Sequence, residues 1–293
     1  MMIVKKSLEW AVNQLKENNI SEPEKSAEFL LRQVLVSSLC HSREGGNPDV
    51  RAWMLTNPDY ELTTKQENKF RQYVERRMKH EPIWYITGKI EFYGLDLFVN
   101  KSVLISRPET EFLVEEVLSV GKDKKILELG TGSGAISLAL TSKLKNKMFT
   151  SDISEDALEI AKKNAKKMGL KNKMEFRRGD LLEPWKDMKF DIIVANLPYI
   201  PHEDMSSLAL DIHHWEPRLA LDGGKEGIEI YEKLLSQVKD YLNESAIMFF
   251  EIGIEQGEKI EKLVKKYLPK AKVEIKKDYR DVDRIAIISF KKS

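Results

Sequence analysis

Short apolar runs alternate with longer segments of helical periodicity between residues 124 and 290, and no other feature constrains the fold as strongly. Six runs have the length and apolar content of buried strands: KKILEL, MFTSD, MEFRR, FDIIVAN, AIMFFEIG and RIAIISF. Intervening segments such as DALEIAKKNAKKMG combine helical periodicity with a charged face. The alternation predicts an α/β fold, in which βαβ units form a mostly parallel, twisted sheet with helices on both faces.

Residues 1–80 have a different pattern, which predicts a small helical domain. A capping box at residues 21–24 places Pro23 in the first turn of one helix, and another helix begins near Thr63 or Thr64. Each of three helices carries an apolar stripe that needs a partner surface. The first two stripes consist of Leu8, Ala11, Val12 and Leu15, then Ala27, Leu30, Leu31, Val34 and Leu35, and the third helix shows Phe70, Tyr73, Val74 and Arg77 on one face.

Two further segments lack this helical periodicity. Residues 39–52 contain the sequence Gly-Gly-Asn-Pro, which cannot continue a helix, and they predict an exposed loop. Residues 81–105 are rich in β-branched and aromatic residues and are interrupted by Gly88 and Gly94. This second segment predicts a β-hairpin that links the helical domain to the α/β domain.

The composition excludes several classes of protein. The 293 residues include 48 Lys and Arg against 47 Asp and Glu, and this balance argues against binding of nucleic acid by bulk charge. The single cysteine, Cys40, excludes an internal disulfide, and Cys40 with His41 lacks the further ligands of a metal site. No apolar stretch reaches the roughly 20 residues that span a bilayer, and the N-terminal segment predicts an amphipathic helix rather than a signal peptide. We therefore expect a cytoplasmic protein.

A glycine-rich run follows the first predicted strand of the α/β region and precedes a helix. Gly130, Thr131, Gly132, Ser133 and Gly134 let the backbone turn sharply and approach a ligand closely, beside the unpaired N–H groups of a helix start. The run also satisfies the pattern of dinucleotide-binding loops, so a nicotinamide-dependent oxidoreductase is one alternative.

Acidic residues follow the next two predicted strands. Asp152 lies about 20 residues beyond the glycines, where a carboxylate accepts hydrogen bonds from a ribose diol. The alternative for Asp152 is a helix N-cap, although Ser154 is better placed for that role. Asp180 and Leu181 are placed to meet an adenine amino group and ring, and a solvated loop aspartate is nearly as simple an interpretation. Together these residues predict a nucleoside-binding site at one edge of the sheet.

The sequence Asn196-Leu197-Pro198-Tyr199 ends the predicted strand FDIIVAN, at the edge where ligands bind to open α/β sheets. The Asn196 side chain and the Leu197 backbone, held extended by the following proline, offer two carbonyl oxygens. Two acceptors that converge on one NH2 group orient it and draw electron density to its nitrogen. Tyr199 offers a flat wall for a planar group. The motif therefore predicts a site for chemistry on an amide or aryl amine.

These motifs and several longer stretches resemble the release-factor glutamine N5-methyltransferases, the PrmC or HemK family, over nearly the whole chain. The glycine-rich and Asn-Leu-Pro-Tyr motifs occur in many enzymes that use S-adenosylmethionine, whereas EPRLALDGG and RPETE are much narrower. The matching stretches are EPIWYITG, EFYG, SRPETE, ELGTGSGAISLAL, SDISEDALEIAKKNA, FDIIVANLPYI, WEPRLALDGGKEGIEIY, EIGIEQGE and DVDRIAII.

The resemblance implies a helical substrate-recognition domain (1–80), a β-hairpin linker (81–105) and a Rossmann-like, S-adenosylmethionine-dependent methyltransferase domain (106–293). It implies that the enzyme methylates the side-chain amide nitrogen of the glutamine in the Gly-Gly-Gln loop of peptide-chain release factors and leaves S-adenosylhomocysteine. It implies neither a nucleic-acid nor a membrane partner. By position, residues 130–134 line the cofactor, Asp152 holds its ribose, Asp180 and Leu181 border its adenine, and Asn196 to Tyr199 hold the glutamine amide, with Asn196 also facing the cofactor.

The chain departs from the family pattern in three places. Leu197 and Ser106 stand where the family usually has proline, and the family has nothing similar to residues 39–52. Leu197 keeps its carbonyl, but its φ is not locked by a ring. One alternative is therefore a module that binds S-adenosylmethionine with weakened catalysis. Another is an amino methyltransferase that acts on a nucleic acid, since Asn-Leu-Pro-Tyr is also the form of the motif in rRNA adenine dimethyltransferases.

Charged residues near the predicted site have simpler roles. We expect Arg107, Glu216 and Arg218 to form structural ion pairs that brace loops. For His213 and His214 we expect surface or loop packing, and the alternative is that they line the mouth of the substrate site. A general base is not needed, because a neutral amide can be methylated if its proton leaves late to water.

Overall fold

The computed structural model describes residues 2–39, 49–278 and 280–290 of the chain. Its α-helices are α1 (Val4–Glu17), α2 (Pro23–Leu39), α3 (Val50–Thr56), α4 (Thr64–Arg77), α5 (Ile83–Thr87), α6 (Glu109–Val120), α7 (Ala135–Leu144), α8 (Glu155–Lys167), α9 (Leu210–Trp215), α10 (Glu229–Gln237) and α11 (Gly257–Tyr267). Its strands are β1 (Lys89–Phe92), β2 (Leu95–Phe98), β3 (Ile126–Leu129), β4 (Met148–Asp152), β5 (Met174–Arg178), β6 (Phe190–Ala195), β7 (Leu242–Glu251), β8 (Ala271–Lys277) and β9 (Asp283–Phe290).

The chain forms two compact units. One unit consists of Met1–Gly88 together with Leu210–Trp215, and the other consists of Lys89–Ala209 together with Glu216–Ser293. The short helix α9 therefore belongs to the helical unit, although it lies between strands of the sheet in the sequence. The Trp215 indole N–H donates to the backbone carbonyl of Lys79 at 3.1 Å within that unit.

The three predicted helices of the first unit are confirmed. Helix α2 begins at Pro23, in agreement with the prediction that this proline lies in the first turn. A different capping box, not predicted from the sequence, begins α4, where the Thr63 hydroxyl accepts from the Gln66 N–H and the Gln66 side chain accepts from the Thr63 N–H. The predicted stripe of α2 is completely buried, and it meets Leu15 of α1 and Phe70 of α4 in one apolar core. Because each helix alone leaves its stripe exposed to water, burial of the three stripes against one another stabilises this unit.

The exposed loop predicted for residues 39–52 is wrong at both ends. Helix α2 continues to Leu39, and α3 begins at Val50, which is buried. The Asp49 carboxylate caps α3 by accepting from the backbone N–H groups of Arg51 and Ala52. Residues 40–48, which include Cys40 and His41, lie outside the described residues, so the prediction for them stays a prediction.

The predicted hairpin is confirmed for residues 89–98, where β1 and β2 pair in antiparallel register. Tyr93 and Gly94 between the strands have φ values of +50° and +73°, as a two-residue type I′ turn requires. The residues before the hairpin differ from the prediction, because Ile83–Thr87 form a helical turn. That turn ends at Gly88, whose φ is +74°.

The second unit contains a mixed sheet whose seven described strands have the order β5-β4-β3-β6-β7-β9-β8. Neighbouring strands from β5 to β7 pair in parallel, and β9 runs antiparallel to both β7 and β8. The mostly parallel sheet and its six predicted strands are confirmed, and β8 is the strand that the sequence did not predict. β8 alternates half-buried and exposed residues at the edge of the sheet, so it lacks the continuous apolar run of the other strands.

Strand order reverses at β3, which pairs with β4 on one side and with β6 on the other. The chain leaves β3, β4, β5 and β6 at the same edge of the sheet, because these strands are parallel. Loops that are distant in sequence therefore meet at this edge, which is where open α/β sheets bind ligands. Among the described residues, no helix has the length and apolar character needed to cross a bilayer.

Candidate active site

A cavity of about 350 Å³ opens at this carboxyl edge of the sheet, among the loops that follow β3, β4, β5 and β6. The structure brings ten of the predicted site residues to its wall. They are Gly130, Thr131, Gly132, Ser133, Asp152, Asp180, Leu181, Asn196, Leu197 and Pro198. Two predicted residues, Gly134 and Tyr199, are not part of the wall.

The glycine-rich loop turns sharply from β3 into α7 and forms one side of the cavity. Gly130, Gly132 and Gly134 all have positive φ values, a conformation that costs a side-chain-bearing residue free energy. A Cβ atom at Gly130 would lie 3.0 Å from the Leu197 side chain, whereas a Cβ atom at Gly132 would meet no atom within 4 Å. The backbone at Gly132 therefore faces open space that a ligand can enter.

Asp152, at the end of β4, holds this loop in place. One carboxylate oxygen accepts from the Gly132 N–H and the other accepts from the Ser154 N–H, both at 2.9 Å. Burial raises the pKa of Asp152, and these two N–H donors act against that rise. The N-cap of α8 is Ser154, whose hydroxyl accepts from the Ala157 N–H at 3.2 Å. Each Asp152 oxygen keeps lone pairs for a ligand.

Glu128 is a second acidic group at the cavity, and it was not among the predicted site residues. It is only 1% exposed, and it accepts from the Thr131 hydroxyl at 2.7 Å and from the Thr150 hydroxyl at 3.2 Å. Burial raises its pKa to about 7, so it exchanges a proton near neutral pH. A signal was present, because a carboxylate inside the otherwise apolar strand ILEL needs a functional or structural reason.

Asp180 and Leu181 lie at the wall after β5. The Asp180 carboxylate forms an ion pair with the ammonium of Lys233 from α10, and both side chains are exposed. Leu181 is buried with φ +51°, and such a backbone conformation in a leucine requires support from its surroundings. The Ser151 hydroxyl gives part of that support by donating to the Leu181 carbonyl at 3.4 Å.

Asn196 follows β6 on the other side of the cavity, and its amide has a fixed orientation. The Nδ2 group donates to the Thr110 hydroxyl of α6 at 3.2 Å. Thr110 is buried. Burial raises the pKa of Glu251, and the nearby Thr110 hydroxyl acts against that rise. With Nδ2 engaged in this way, Oδ1 is left as an acceptor, and no hydrogen bond of the described residues ends on it or on the Leu197 carbonyl oxygen.

Tyr199 lies behind the wall rather than on it. Its hydroxyl donates to a carboxylate oxygen of Glu251 at 3.3 Å, at the end of β7. Burial and the Glu251 charge raise the pKa of Tyr199, so the phenol stays protonated and remains a donor. The flat wall predicted for Tyr199 has no counterpart among the cavity-lining residues, and Tyr199 instead ties its motif to β7.

Asn164 of α8 is another residue near the site that was not predicted. Its side chain is fully buried, donates to the Ser133 carbonyl at 2.8 Å and exchanges two hydrogen bonds with the backbone of Phe98. It therefore joins the glycine-rich loop to the hairpin. No signal marks it in the sequence, where it stands in a lysine-rich helical segment.

The structural ion pairs predicted near the site are present. Arg107 donates to the Glu216 carboxylate at 2.6 Å, and Glu216 also accepts from the Ile105 N–H at 3.2 Å. Arg218 pairs with Asp222 rather than with Glu216, at an exposed position. His213 and His214 lie side by side on α9 with exposed side chains, as predicted.

Two family models match the chain. The model described as the PrmC N-terminal domain matches residues 6–88, and the model described as the methyltransferase small domain matches residues 107–216. Among solved structures, a methyltransferase from Pyrococcus furiosus is similar with a TM-score of 0.50 and 18% identity, over 78% of this chain and 98% of that chain. The likeness confirms the fold of a methyltransferase.

Curated relatives match the chain from end to end. A protein of Bacillus anthracis named release factor glutamine methyltransferase is 37% identical over 97% of this chain and 98% of its own length. A protein of Clostridium acetobutylicum with the same name is 34% identical over 98% of both chains. Identity of this extent over both units confirms the resemblance found in the sequence. The chain therefore belongs to the family of release factor glutamine methyltransferases.

Proposed function

We propose that this protein transfers a methyl group from S-adenosylmethionine to the side-chain amide nitrogen (N5) of the glutamine in the Gly-Gly-Gln loop of peptide-chain release factors. One observation carries the proposal: Asn196 and Leu197, which each have a carbonyl oxygen to offer, follow β6 directly and line the same cavity as the glycine-rich loop. The names of the relatives support the choice of substrate.

The residues of the cavity fit S-adenosylmethionine, which supplies an electrophilic methyl group when it is bound. The open space at Gly132 admits a ligand close to the backbone, and the Asp152 carboxylate is the acceptor for a ribose diol. Asp180 and Leu181 border the adenine. Glu128 is the buried carboxylate that balances the positive charge of the cofactor.

Asn196 and Leu197 prepare the acceptor amide. A glutamine NH2 group has two hydrogens, and each hydrogen donates to one of the two oxygens. Both bonds strengthen as positive charge develops on the nitrogen, so they stabilise the transition state more than the ground state. The two oxygens also fix the direction of the nitrogen toward the donor, which lowers the entropic part of the barrier. In this direct displacement the amide nitrogen would bond to the methyl carbon as the bond from that carbon to sulfur breaks. S-adenosylhomocysteine would leave and the amide proton would pass to water, so neither a metal ion nor a covalent enzyme intermediate is needed.

The division of labour along the chain follows from this assignment. Residues 1–80 recognise the release factor, residues 81–105 connect the two parts, and residues 106–293 bind the cofactor and carry out the transfer. Since release factors act in translation, the reaction takes place in the cytoplasm.

Mass spectrometry of a purified release factor, after incubation with this protein and S-adenosylmethionine, tests the proposal. We expect one added methyl group on the loop glutamine and none on a release factor in which that glutamine is replaced by alanine. Methylation of RNA or DNA in a parallel reaction, with an unmodified release factor, would contradict the proposal in favour of an adenine-type amino methyltransferase.

A further inference from the structure

The backbone N–H of Leu197 has an unusual partner. Leu197 is 4% exposed, so its N–H has no access to water, and it donates to the hydroxyl of Tyr231 at 3.2 Å. A buried N–H without a partner is strongly disfavoured, so this bond holds the segment in one place. Tyr231 lies on α10, 34 residues farther along the chain.

The direction of the Tyr231 hydroxyl is fixed as well. Its proton goes to the backbone carbonyl of Glu251, at the end of β7, so a lone pair is left to face Leu197. Burial raises the pKa of Tyr231, and the phenol stays protonated and able to serve both partners. The ring stacks on Phe250 at 5.1 Å between centroids. The side chain therefore connects α10 with the ends of β6 and β7.

The bonded N–H belongs to the peptide unit between Asn196 and Leu197. A peptide unit is planar, and this one includes the Cα atoms of both residues. The Asn196 Cα carries the side chain with one acceptor oxygen, and the Leu197 Cα carries the carbonyl with the other. Fixing the plane therefore fixes the starting points of both acceptors, while Pro198 keeps Leu197 extended.

We propose that Tyr231 is a positioning residue, which aligns the two acceptor oxygens of Asn196 and Leu197 by holding their shared peptide plane. The inference rests on the function proposed above, and Tyr231 is not part of the cavity wall. It acts on the position of the glutamine amide that receives the methyl group. It leaves unchanged the part of the cavity formed by the glycine-rich loop and Asp152, which we call the cofactor half.

The test is a double-mutant cycle between positions 231 and 197. Tyr231→Phe removes the hydroxyl and keeps the ring that stacks on Phe250. We expect kcat for methylation of a release factor to fall by about tenfold or more, with unchanged calorimetric affinity for S-adenosylmethionine. Leu197→Pro removes the N–H that Tyr231 holds, so Tyr231→Phe in that background should change kcat by less than about twofold. The matched control is Tyr267→Phe. This change removes a hydroxyl on α11 that donates to the Glu232 carboxylate on α10, and it should not change kcat.

An equal loss of kcat in both backgrounds, or no loss in either, would overturn the proposal. If Leu197→Pro does not fold, amide exchange by NMR decides: the Leu197 proton should exchange about tenfold faster in Tyr231→Phe than in the wild type, and equal rates would overturn the proposal. Failure of the proposed function is distinguishable, because the wild-type protein would then leave the release factor unmethylated in the same assay.

Discussion

The cavity has a cofactor half, formed by the glycine-rich loop and Asp152, and a substrate half, formed by Asn196 and Leu197. Different contacts hold these two halves in place. In the cofactor half, the loop that follows β3 is bonded to the backbone of β4 by Gly130 and Thr131, and to Asp152 by Gly132, about 20 residues away in sequence. In the substrate half, Asn196 is held by Thr110, 86 residues away, and Leu197 by Tyr231, 34 residues away. The glycine-rich loop and Asp152 therefore belong to one βαβ unit, whereas the substrate half is assembled from side chains of α6, α10 and β7.

This difference predicts that substitutions in the two halves impair different properties of the enzyme. A change in the substrate half should alter turnover and leave cofactor affinity in place, while a change in the cofactor half should act first on affinity. The substitutions below test this separation.

The largest expected effect belongs to Asn196→Ala. It removes one of the two oxygens that hold the amide, so we expect turnover on a release factor to fall by about 10²-fold or more. Calorimetric affinity for S-adenosylmethionine should stay within a few-fold of the wild-type value. Asn172→Ala, on an exposed turn, is the matched control. Wild-type turnover in Asn196→Ala would remove Asn196 from the site.

Asp152→Ala tests the other half. The change removes the ribose acceptor and the partner of the Gly132 N–H, so we expect the Kd for S-adenosylmethionine to rise by about 10- to 100-fold. Asp152→Asn keeps one acceptor oxygen and should lose less affinity. Unchanged affinity of Asp152→Ala in calorimetry would contradict the assignment.

Thr110→Val sharpens the comparison, because it disturbs the substrate half without removing either of the two oxygens that hold the glutamine amide. Valine has the shape of threonine but cannot accept from Asn196 Nδ2, so the amide loses its fixed orientation. We expect turnover to fall by about tenfold and cofactor affinity to stay unchanged. Thr110→Ser keeps the hydroxyl and should restore most of the turnover. Equal losses in both variants would mean that packing, rather than the hydrogen bond, is what matters.

The smallest effect is a pH dependence of the cofactor half. Burial raises the pKa of Glu128 to about 7, and a cationic ligand favours its ionised form. The affinity for S-adenosylmethionine should therefore increase as pH rises toward 7, by less than about tenfold in total, and level off above that value. Free of ligand, the folded protein binds this proton more tightly than the unfolded chain does, so Glu128 lowers stability as pH rises from about 4.5 to 7. In Glu128→Gln, the affinity measured by calorimetry and the melting temperature should both depend less on pH across this range.

The same division explains how much the sequence could predict. The glycines, Asp152 and Asn196 follow predicted strands directly, and the rule that parallel strands end at one edge is enough to bring them together. Thr110, Asn164, Tyr231 and Glu251 do their work through hydrogen bonds across the fold. No local pattern records such partners, so these supports of the glycine-rich loop and of the substrate half can be recognised only in three dimensions.

Prediction of the fold from the sequence has a similar limit. Strands with continuous apolar runs were predicted, because both of their faces are buried. The edge strand β8 exposes alternate residues such as Lys272 and Glu274, and its pattern resembles that of a surface segment. The Gly-Gly-Asn-Pro sequence that precedes helix α3 breaks the helical pattern, so the cap at Asp49 resembles part of a loop in the sequence.

A crystal structure with S-adenosylhomocysteine and a peptide containing Gly-Gly-Gln would test most directly the claim that two oxygens hold the acceptor amide. We predict that the glutamine nitrogen lies about 3 Å from both Asn196 Oδ1 and the Leu197 carbonyl oxygen, with its free side toward the sulfur. A glutamine side chain bound elsewhere in the cavity, or turned away from either oxygen, would contradict the account.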